Sequence, residues 1–311
     1  MWTPSRWLRR RRRPLQVACT CDRQYIPHCA AMLHSLIINQ RRPVEVHLVA
    51  AADVTPELAA RLSAWIEEIG AKIVIHRVVD EDPRLRGIIH WWSIATWFRI
   101  LLPRILPEVD RIIYIDCDAI VTDSLDPLLR LDLDGNCIAT VTNPPITMEW
   151  MERHSSALGL ASTDDYWNAG VMVMDLQALR AGEWEDPIIE YALAHHDRDR
   201  EAEVDEDSPR DVFTYTMRNP ERFLFPDQDA MNVVLREHRL RIHPRWNVQT
   251  LFRRSDVRTP ELTEQRVAEA WNNPAIRHFE GPGHSKPWHP DAEPEDSALY
   301  WAHRRQTPWP T

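Results

Sequence analysis

The chain is poor in glycine, lysine and cysteine, and it contains no long apolar run. Of 311 residues, eight are glycine, five are cysteine, and Lys72 and Lys286 are the only lysines. No stretch approaches the roughly 18 to 20 apolar residues of a membrane-spanning helix, so no span is expected. The cysteines (Cys19, Cys21, Cys29, Cys117, Cys137) are odd in number and form no pair of zinc-type doublets. Reduced thiols in a cytoplasmic protein are the simplest reading. Arginine carries almost all the positive charge, a bias that suits GC-rich codons and singles out the retained Lys286.

Net charge is −10, and residues 1–13 hold six arginines and no acid, so removing those six charges leaves −16 on the rest. A general nucleic-acid binder would show a basic footprint, and this body has the opposite sign. Residues 1–13 are expected to be a basic, disordered tail. Its Arg9 to Arg13 run is also suited to peripheral contact with an anionic membrane surface. No apolar segment follows it, so a secretory signal is not expected.

What is present is a sizeable apolar fraction, 44%, enough for the core of one large domain. The most informative segment is Arg111-Ile-Ile-Tyr-Ile-Asp-Cys-Asp118. An apolar, β-prone run ends there in two carboxylates one residue apart. If the extended backbone persists through Cys117, Asp116 and Asp118 project on the same side. Two hard oxygen ligands at the end of a buried strand can hold a divalent cation against a diphosphate. Asp-x-Asp occurs six times in the chain, so spacing alone carries little. Only this copy lies between two apolar runs, at 112–115 and 119–121.

Apolar runs alternate with helical patterns from residue 14 onward. Strands are expected at 15–19, 44–50, 73–79 and 112–115. Helices are expected at 27–38, 56–69 and 92–101, the second with proline in its first turn and Gly70 after its end. This series predicts an α/β fold with a mainly parallel central sheet and helices on both faces. Ligands of such sheets bind at the carboxyl ends of strands, where Asp22, Asp116 and Asp118 fall. Further on, strands are expected at 137–142, 171–174 and 239–242, and helices at 187–195 and 227–236. Residues 197–211 are charged and apolar-poor and read as an exposed insertion. Residues 291–311 read as a C-terminal tail that wraps the body.

Five segments, in order, carry a resemblance. They are Cys19-Thr-Cys-Asp-Arg-Gln-Tyr25, Tyr114-Ile-Asp-Cys-Asp118, Tyr166-Trp-Asn-Ala-Gly-Val-Met-Val-Met-Asp175, Asp227-Gln-Asp-Ala-Met-Asn232 and His278-Phe-Glu-Gly-Pro-Gly-His-Ser-Lys-Pro-Trp288. Residues 14–290 resemble family 8 glycosyltransferases, which include glycogenin and bacterial lipopolysaccharide galactosyltransferases. The resemblance implies a single GT-A type nucleotide-diphospho-sugar transferase domain. It also implies a divalent metal, manganese with magnesium as the alternative, and retention of anomeric configuration. The donor would be a UDP-hexose, glucose or galactose. The acceptor would be a glycan, a lipid-linked sugar, a small molecule or a protein.

Carried over residue by residue, Asp116, Asp118 and His278 would bind the metal. An imidazole beside carboxylates suits manganese better than magnesium. Cys117 lies between the two acids within the donor-binding segment. Lys286 would set a positive charge at the phosphates, and Gly281 would let backbone approach them. Asp22 and Tyr25 would hold the base, and Arg99 would lie near the donor sugar and phosphate. Asn168 and Asp227 would hydrogen-bond sugar hydroxyls, with Gln228 beside the anomeric carbon. An amide is a poor nucleophile, which favours front-side attack over double displacement.

The chain departs from the family in two places. His278 and Lys286 are eight residues apart instead of six, as though Gly283 and His284 were inserted. Either Lys286 or His284 would then meet the phosphates. Residues 197–211 also lengthen the approach to Asp227. Two rival readings stay open: a catalytically degenerate binding relative, and a sugar-phosphate nucleotidyltransferase. The second would want a glycine-rich basic loop after the first strand, and Cys21-Asp-Arg-Gln-Tyr25 is not one. Fourteen tryptophans, Trp91, Trp92, Trp150, Trp167 and Trp288 among them, suit sugar stacking and core packing alike.

Overall fold

A computed structural model of the chain describes residues 13–78, 84–85, 93–195, 218–221, 225–253, 258–281 and 283–311. The expected tail up to residue 12, the insertion at 197–211, Trp91 and Trp92 lie outside these residues, as does the His284 side chain.

The amino-terminal half follows its sequence pattern closely. Strand β1 (Leu15–Cys21) leads to helix α1 (Ile26–Ile38), then β2 (Val44–Ala50), helix α2 (Pro56–Glu68) and β3 (Lys72–Arg77). Thr55 caps α2, its hydroxyl accepting from the Leu58 amide at 3.3 Å, and Pro56 takes the first helical position. Gly70 ends the helix at φ +90°, a conformation a side chain would oppose.

The remaining strands are β4 (Arg111–Ile115), β5 (Ala119–Val121), β6 (Ile138–Thr142), β7 (Trp167–Asp175), β8 (Arg239–Arg241), β9 (Val248–Gln249) and β10 (Ile276–His278). The main sheet runs β3-β2-β1-β4-β7-β6-β8. Strand β7 pairs antiparallel with both β4 and β6, while the other neighbours are parallel. A second sheet, β5-β10-β9, places His278 opposite Ala119 on one side and Gln249 on the other. Alternation splits the core between the two faces of the main sheet. Val17, Cys19, Ile113 and Ile115 pack with Leu33, Leu36, Leu62 and Ile66 of α1 and α2. Ala18, Ile112 and Tyr114 pack with Met151, Leu176, Ile189 and Met231 on the opposite face. Helices thus cover both faces, as the apolar runs require.

Some expected elements differ in kind or extent. The helix expected at 92–101 is, among described residues, a 3-10 segment (Ile94–Arg99) followed by a short α-helix (Leu102–Ile105). Ser93 caps the first of these, and Pro103 fits the first turn of the second. Strand β7 begins four residues earlier than its apolar stretch, because Trp167 to Gly170 pair within the sheet core despite their mixed polarity. The segment 291–311 carries a helix, Pro294–Arg304, packed against α1. Tyr300 Oη meets His28 Nδ1 at 2.7 Å, and Asp296 pairs with buried Arg277 at 2.8 Å. No helix among the described residues is long and apolar enough to cross a membrane.

Candidate active site

The two carboxylates of Asp116 and Asp118 converge, but not by strand alternation. Strand β4 ends at Ile115; the Asp116 amide still donates to the Gly170 carbonyl at 2.8 Å, and the chain then turns through Cys117 and Asp118. The expectation of extended backbone through Cys117 therefore fails. The turn sends the Cys117 thiol into the core, where it donates to the Thr20 carbonyl at 3.2 Å. Cys19, Cys29 and Cys117 form a buried thiol patch behind the turn. Any contact of Cys117 with a ligand would have to come from its backbone.

His278 arrives from β10 to close the group. Ligand atoms of Asp116, Asp118 and His278 all lie within 4.8 Å of one another. His278 Nε2 stands 3.3 Å from Asp118 Oδ1 and 3.9 Å from Asp116 Oδ2. Its Nδ1 lies 2.9 Å from Asn247 Oδ1, while Asn247 Nδ2 donates to Asn168 Oδ1 at 2.9 Å. With the Asn247 oxygen facing the ring, Nδ1 is the protonated nitrogen toward Asn247, and Nε2 is aimed at the carboxylates. A metal-binding histidine is commonly oriented this way by a partner at its other nitrogen.

Gly170 forms the floor. A Cβ there would lie 2.2 Å from His278 Cε1 and 2.8 Å from Asp116 Oδ2. The three donors and the cradle beneath them fit a divalent cation.

Charges around this group balance closely. Arg99 is almost fully buried; it contacts Asp116 at 3.2 Å and Asp227 at 3.1 Å, and donates to the Ala169 carbonyl at 2.8 Å. Burial works against its charge, but Asp116 and the other acids hold its pKa above the ordinary value. Asp227 is pushed up to about 6, by burial first, against the pull of Arg99 and with a further push from Asp116. Tyr114 donates to Asp116 Oδ1 at 2.6 Å. Lys286 Nζ pairs with Asp118 Oδ2 and donates to the Phe279 carbonyl at 2.8 Å. Despite the lengthened spacing, Lys286 sits inside the site. Burial opposes the Asp118 charge, yet Lys286 and His278 hold its carboxyl well below the usual range. Burial likewise opposes the His278 charge, and Asp118 raises its pKa regardless.

The other sequence-chosen residues surround this centre. Asp22 closes the turn after β1, its Oδ1 accepting from the Tyr25 amide at 3.0 Å. Tyr25 meets Trp288 edge-on at 6.2 Å, and Trp288 stacks on His28 at 3.6 Å between ring centres. Gly281 has φ +95°, a left-handed conformation that favours glycine. Asn168 accepts from the Gly170 amide at 3.0 Å and donates to Asn143 at 3.3 Å. Gln228 accepts from the Ala169 amide at 3.0 Å, next to Asn168.

Sequence reading missed Asn247, Gly170 as a floor, and Gln249. Gln249 is buried beside His278 on the paired strand, and among the described residues neither end of its amide has a partner. The two-residue strand β9 gives no periodic signal, and only the polar pair at 247 and 249 among apolar neighbours hints at a role.

A model of glycosyl transferase family 8 matches residues 16–292. The chain belongs to that family. This family 8 chain is 26% identical over 302 residues to general stress protein A of Bacillus subtilis, spanning 96% of this chain and 95% of that protein. It is 24% identical over 300 residues to lipopolysaccharide 1,2-glucosyltransferase of Escherichia coli, spanning 95% and 79%. Lipopolysaccharide 1,3-galactosyltransferase of Salmonella typhimurium is 22% identical over 301 residues, spanning 94% and 78%. Among solved structures, galactosyltransferase LgtC in complex with donor and acceptor sugar analogs gives a TM-score of 0.71 at 19% identity, covering 94% of this chain and 96% of that one. The apo bifunctional glycosyltransferase WbbM gives 0.70 at 18%, covering 96% and 50%. The family 8 fold is GT-A, as the resemblance implied.

Proposed function

We propose that the chain is a retaining, metal-dependent hexosyltransferase that moves glucose or galactose from a UDP-sugar to an acceptor. The observation that carries this reading is the convergence of Asp116, Asp118 and His278 over Gly170. Those three side chains would hold a divalent cation, manganese better than magnesium because one ligand is imidazole, and the cation would supply Lewis-acid neutralisation of the departing diphosphate.

The protein's own groups do the rest. Lys286 exchanges its Asp118 contact for a phosphate oxygen and adds a point charge there. Tyr25 and Asp22, on the same side as Trp288, hold the base. Arg99 keeps the Asp116 and Asp227 carboxylates at fixed separation, and Asp227 with Asn168 meets sugar hydroxyls. The free amide of Gln249 is a further polar group that a bound donor could satisfy. Gln228 offers an amide oxygen and no strong nucleophile, which supports front-side attack with the leaving diphosphate taking the acceptor proton.

Family membership removes the reading as a sugar-phosphate nucleotidyltransferase. Two relatives are named for transfer of glucose and galactose in lipopolysaccharide, which puts a lipid-linked glycan first among acceptors. A cytoplasmic enzyme touching the membrane through Arg9 to Arg13 would suit such an acceptor.

The test needs no acceptor. UDP-glucose and UDP-galactose are each incubated with protein and manganese, and hexose release is measured. Chelator should take release to background and added manganese should restore it. Equal release in excess chelator would overturn the metal assignment. Lys286→Ala should weaken UDP-sugar binding and slow turnover, each by about tenfold, because the phosphate gains charge as the bond breaks. A Lys286→Ala enzyme with unchanged constants would move the phosphate contact elsewhere, His284 being the next group to replace.

A further inference from the structure

A buried chain of polar groups runs from Gln228 away from the metal-site residues. Gln228 Nε2 donates to Tyr166 Oη at 2.8 Å. Tyr166 donates in turn to Asp229 Oδ1 at 2.7 Å. Asp229 also accepts from the Phe225 amide at 3.0 Å, and His154 Nε2 lies 3.1 Å from its Oδ1. His154 Nδ1 lies 2.7 Å from the Pro220 carbonyl. Tyr166, Asp229 and His154 are all fully buried. The hydrogen bonds of Tyr166 and His154 given above run to Gln228, Asp229 and Pro220, not to Asp116, Asp118 or His278, and the reaction outlined above leaves them without a task.

The donor and acceptor rules leave this chain one polarity. Pro220 O can only accept, so His154 Nδ1 carries a proton. As a carboxylate, Asp229 accepts at Oδ1 from Tyr166 and has no proton to offer His154, so Nε2 donates as well. His154 is then an imidazolium paired with a carboxylate, both without solvent contact. Burial opposes that charge, but the Asp229 carboxylate raises the histidine pKa regardless. The hydroxyl of Tyr166 has one proton, and it goes to Asp229. Toward Gln228 the phenol oxygen can only accept, so the amide must turn its Nε2 to Tyr166. The Ala169 amide, a donor at the other end, demands Oε1 there. Two independent constraints fix the same orientation of a side chain that is otherwise free to flip.

We propose that Tyr166, Asp229 and His154 are positioning residues that lock the Gln228 amide with its oxygen turned toward Asn168 and the donor side of the site. The proposal rests on the reading of Gln228 as the group beside the anomeric carbon. A flipped amide would present N–H donors where positive charge develops on the sugar, opposing the transition state. The ion pair at the far end keeps the Tyr166 proton from reversing direction. A structural core contact would not need this polarity, since a neutral apolar trio could fill the same space.

Two measurements test this. In glutamine-labelled protein without metal or donor, the Gln228 side-chain amide is assigned by its absence in Gln228→Ala. Wild type should show two distinct, exchange-protected N–H signals, and Tyr166→Phe should collapse or shift them. Unchanged signals in Tyr166→Phe overturn the proposal whatever the activity. In the hydrolysis assay, Tyr166→Phe should lower kcat on the order of 10- to 100-fold with KM nearly constant, as for a misplaced reacting group. In a Gln228→Ala background the same change should cost nothing further, because its whole effect passes through Gln228. Additive losses would mark Tyr166 as a packing residue and overturn the proposal. If Gln228→Ala itself keeps full kcat, the reading of Gln228 fails while the amide signals still report on the lock. Should Tyr166→Phe fail to fold, Asp229→Asn carries the same pair of measurements with the same expected results.

Discussion

Asp118→Asn should lower turnover at saturating UDP-hexose and manganese by on the order of 100- to 1000-fold. On the proposed function the substitution removes a charge from the site that neutralises the leaving diphosphate, an effect of several kcal/mol in the transition state, and each ~1.36 kcal/mol is a factor of ten. The variant should also melt lower. Asp118 is the shared partner of Lys286 and His278, and both are nearly fully buried. Removing one member of a buried charged group leaves the others uncompensated, at about 3–5 kcal/mol. The rate must therefore be read well below the variant's own melting temperature. A folded Asp118→Asn protein that turns over at the wild-type rate would reduce Asp116 and Asp118 to a structural turn.

The part of the molecule that could be read from the sequence is the part decided by local pattern. The run at 44–50 is a strand at both of its ends, and Pro56 and Gly70 bracket α2. These signals need only near neighbours in the chain. The Asp-x-Asp segment was legible from its apolar flanks, yet its geometry was not. Alternation along β4 suggested a shared face, whereas a turn at Cys117 and Asp118 does the work and buries the thiol. That turn is held by the Asp116–Gly170 and Phe279–Asp118 backbone bonds, whose partners are in β7 and just after β10, both remote in sequence. Asn247 was invisible for the same reason. It matters only because β9 pairs with β10 and brings its oxygen to His278. The antiparallel insertion of β7 between β4 and β6 likewise has no local signature. Its apolar residues look the same in either direction, and pairing is settled by which neighbours remain free.

Gly170→Ala should sharply weaken both metal binding and turnover while leaving a folded protein. The added Cβ would lie 2.2 Å from His278 Cε1, 2.9 Å from His278 Nε2 and 2.8 Å from Asp116 Oδ2. Contacts under 3 Å cannot stand, so something must move, and neither neighbour is free to move. His278 is 2% exposed, belongs to the middle strand of its sheet, and is held at Nδ1 by Asn247. Asp116 is held by Tyr114 and Arg99. The backbone at Gly170 is ordinary strand and not left-handed, so alanine brings no conformational strain of its own. What the methyl group does is push apart the Asp116 and His278 side chains from beneath. Overpacking of this kind costs about 1–3 kcal/mol of stability, small enough for the fold to survive. Manganese affinity, measured by calorimetry or by the spin signal of the free ion, should fall at least about 100-fold, on the scale of losses seen when ligand orientation is disturbed. Combining Gly170→Ala with His278→Ala should recover part of the lost melting temperature, since the two imidazole contacts are gone and only the one to Asp116 Oδ2 remains, but not the metal affinity. A Gly170→Ala protein that binds manganese and releases hexose like wild type would show that the ion does not sit between Asp116 and His278.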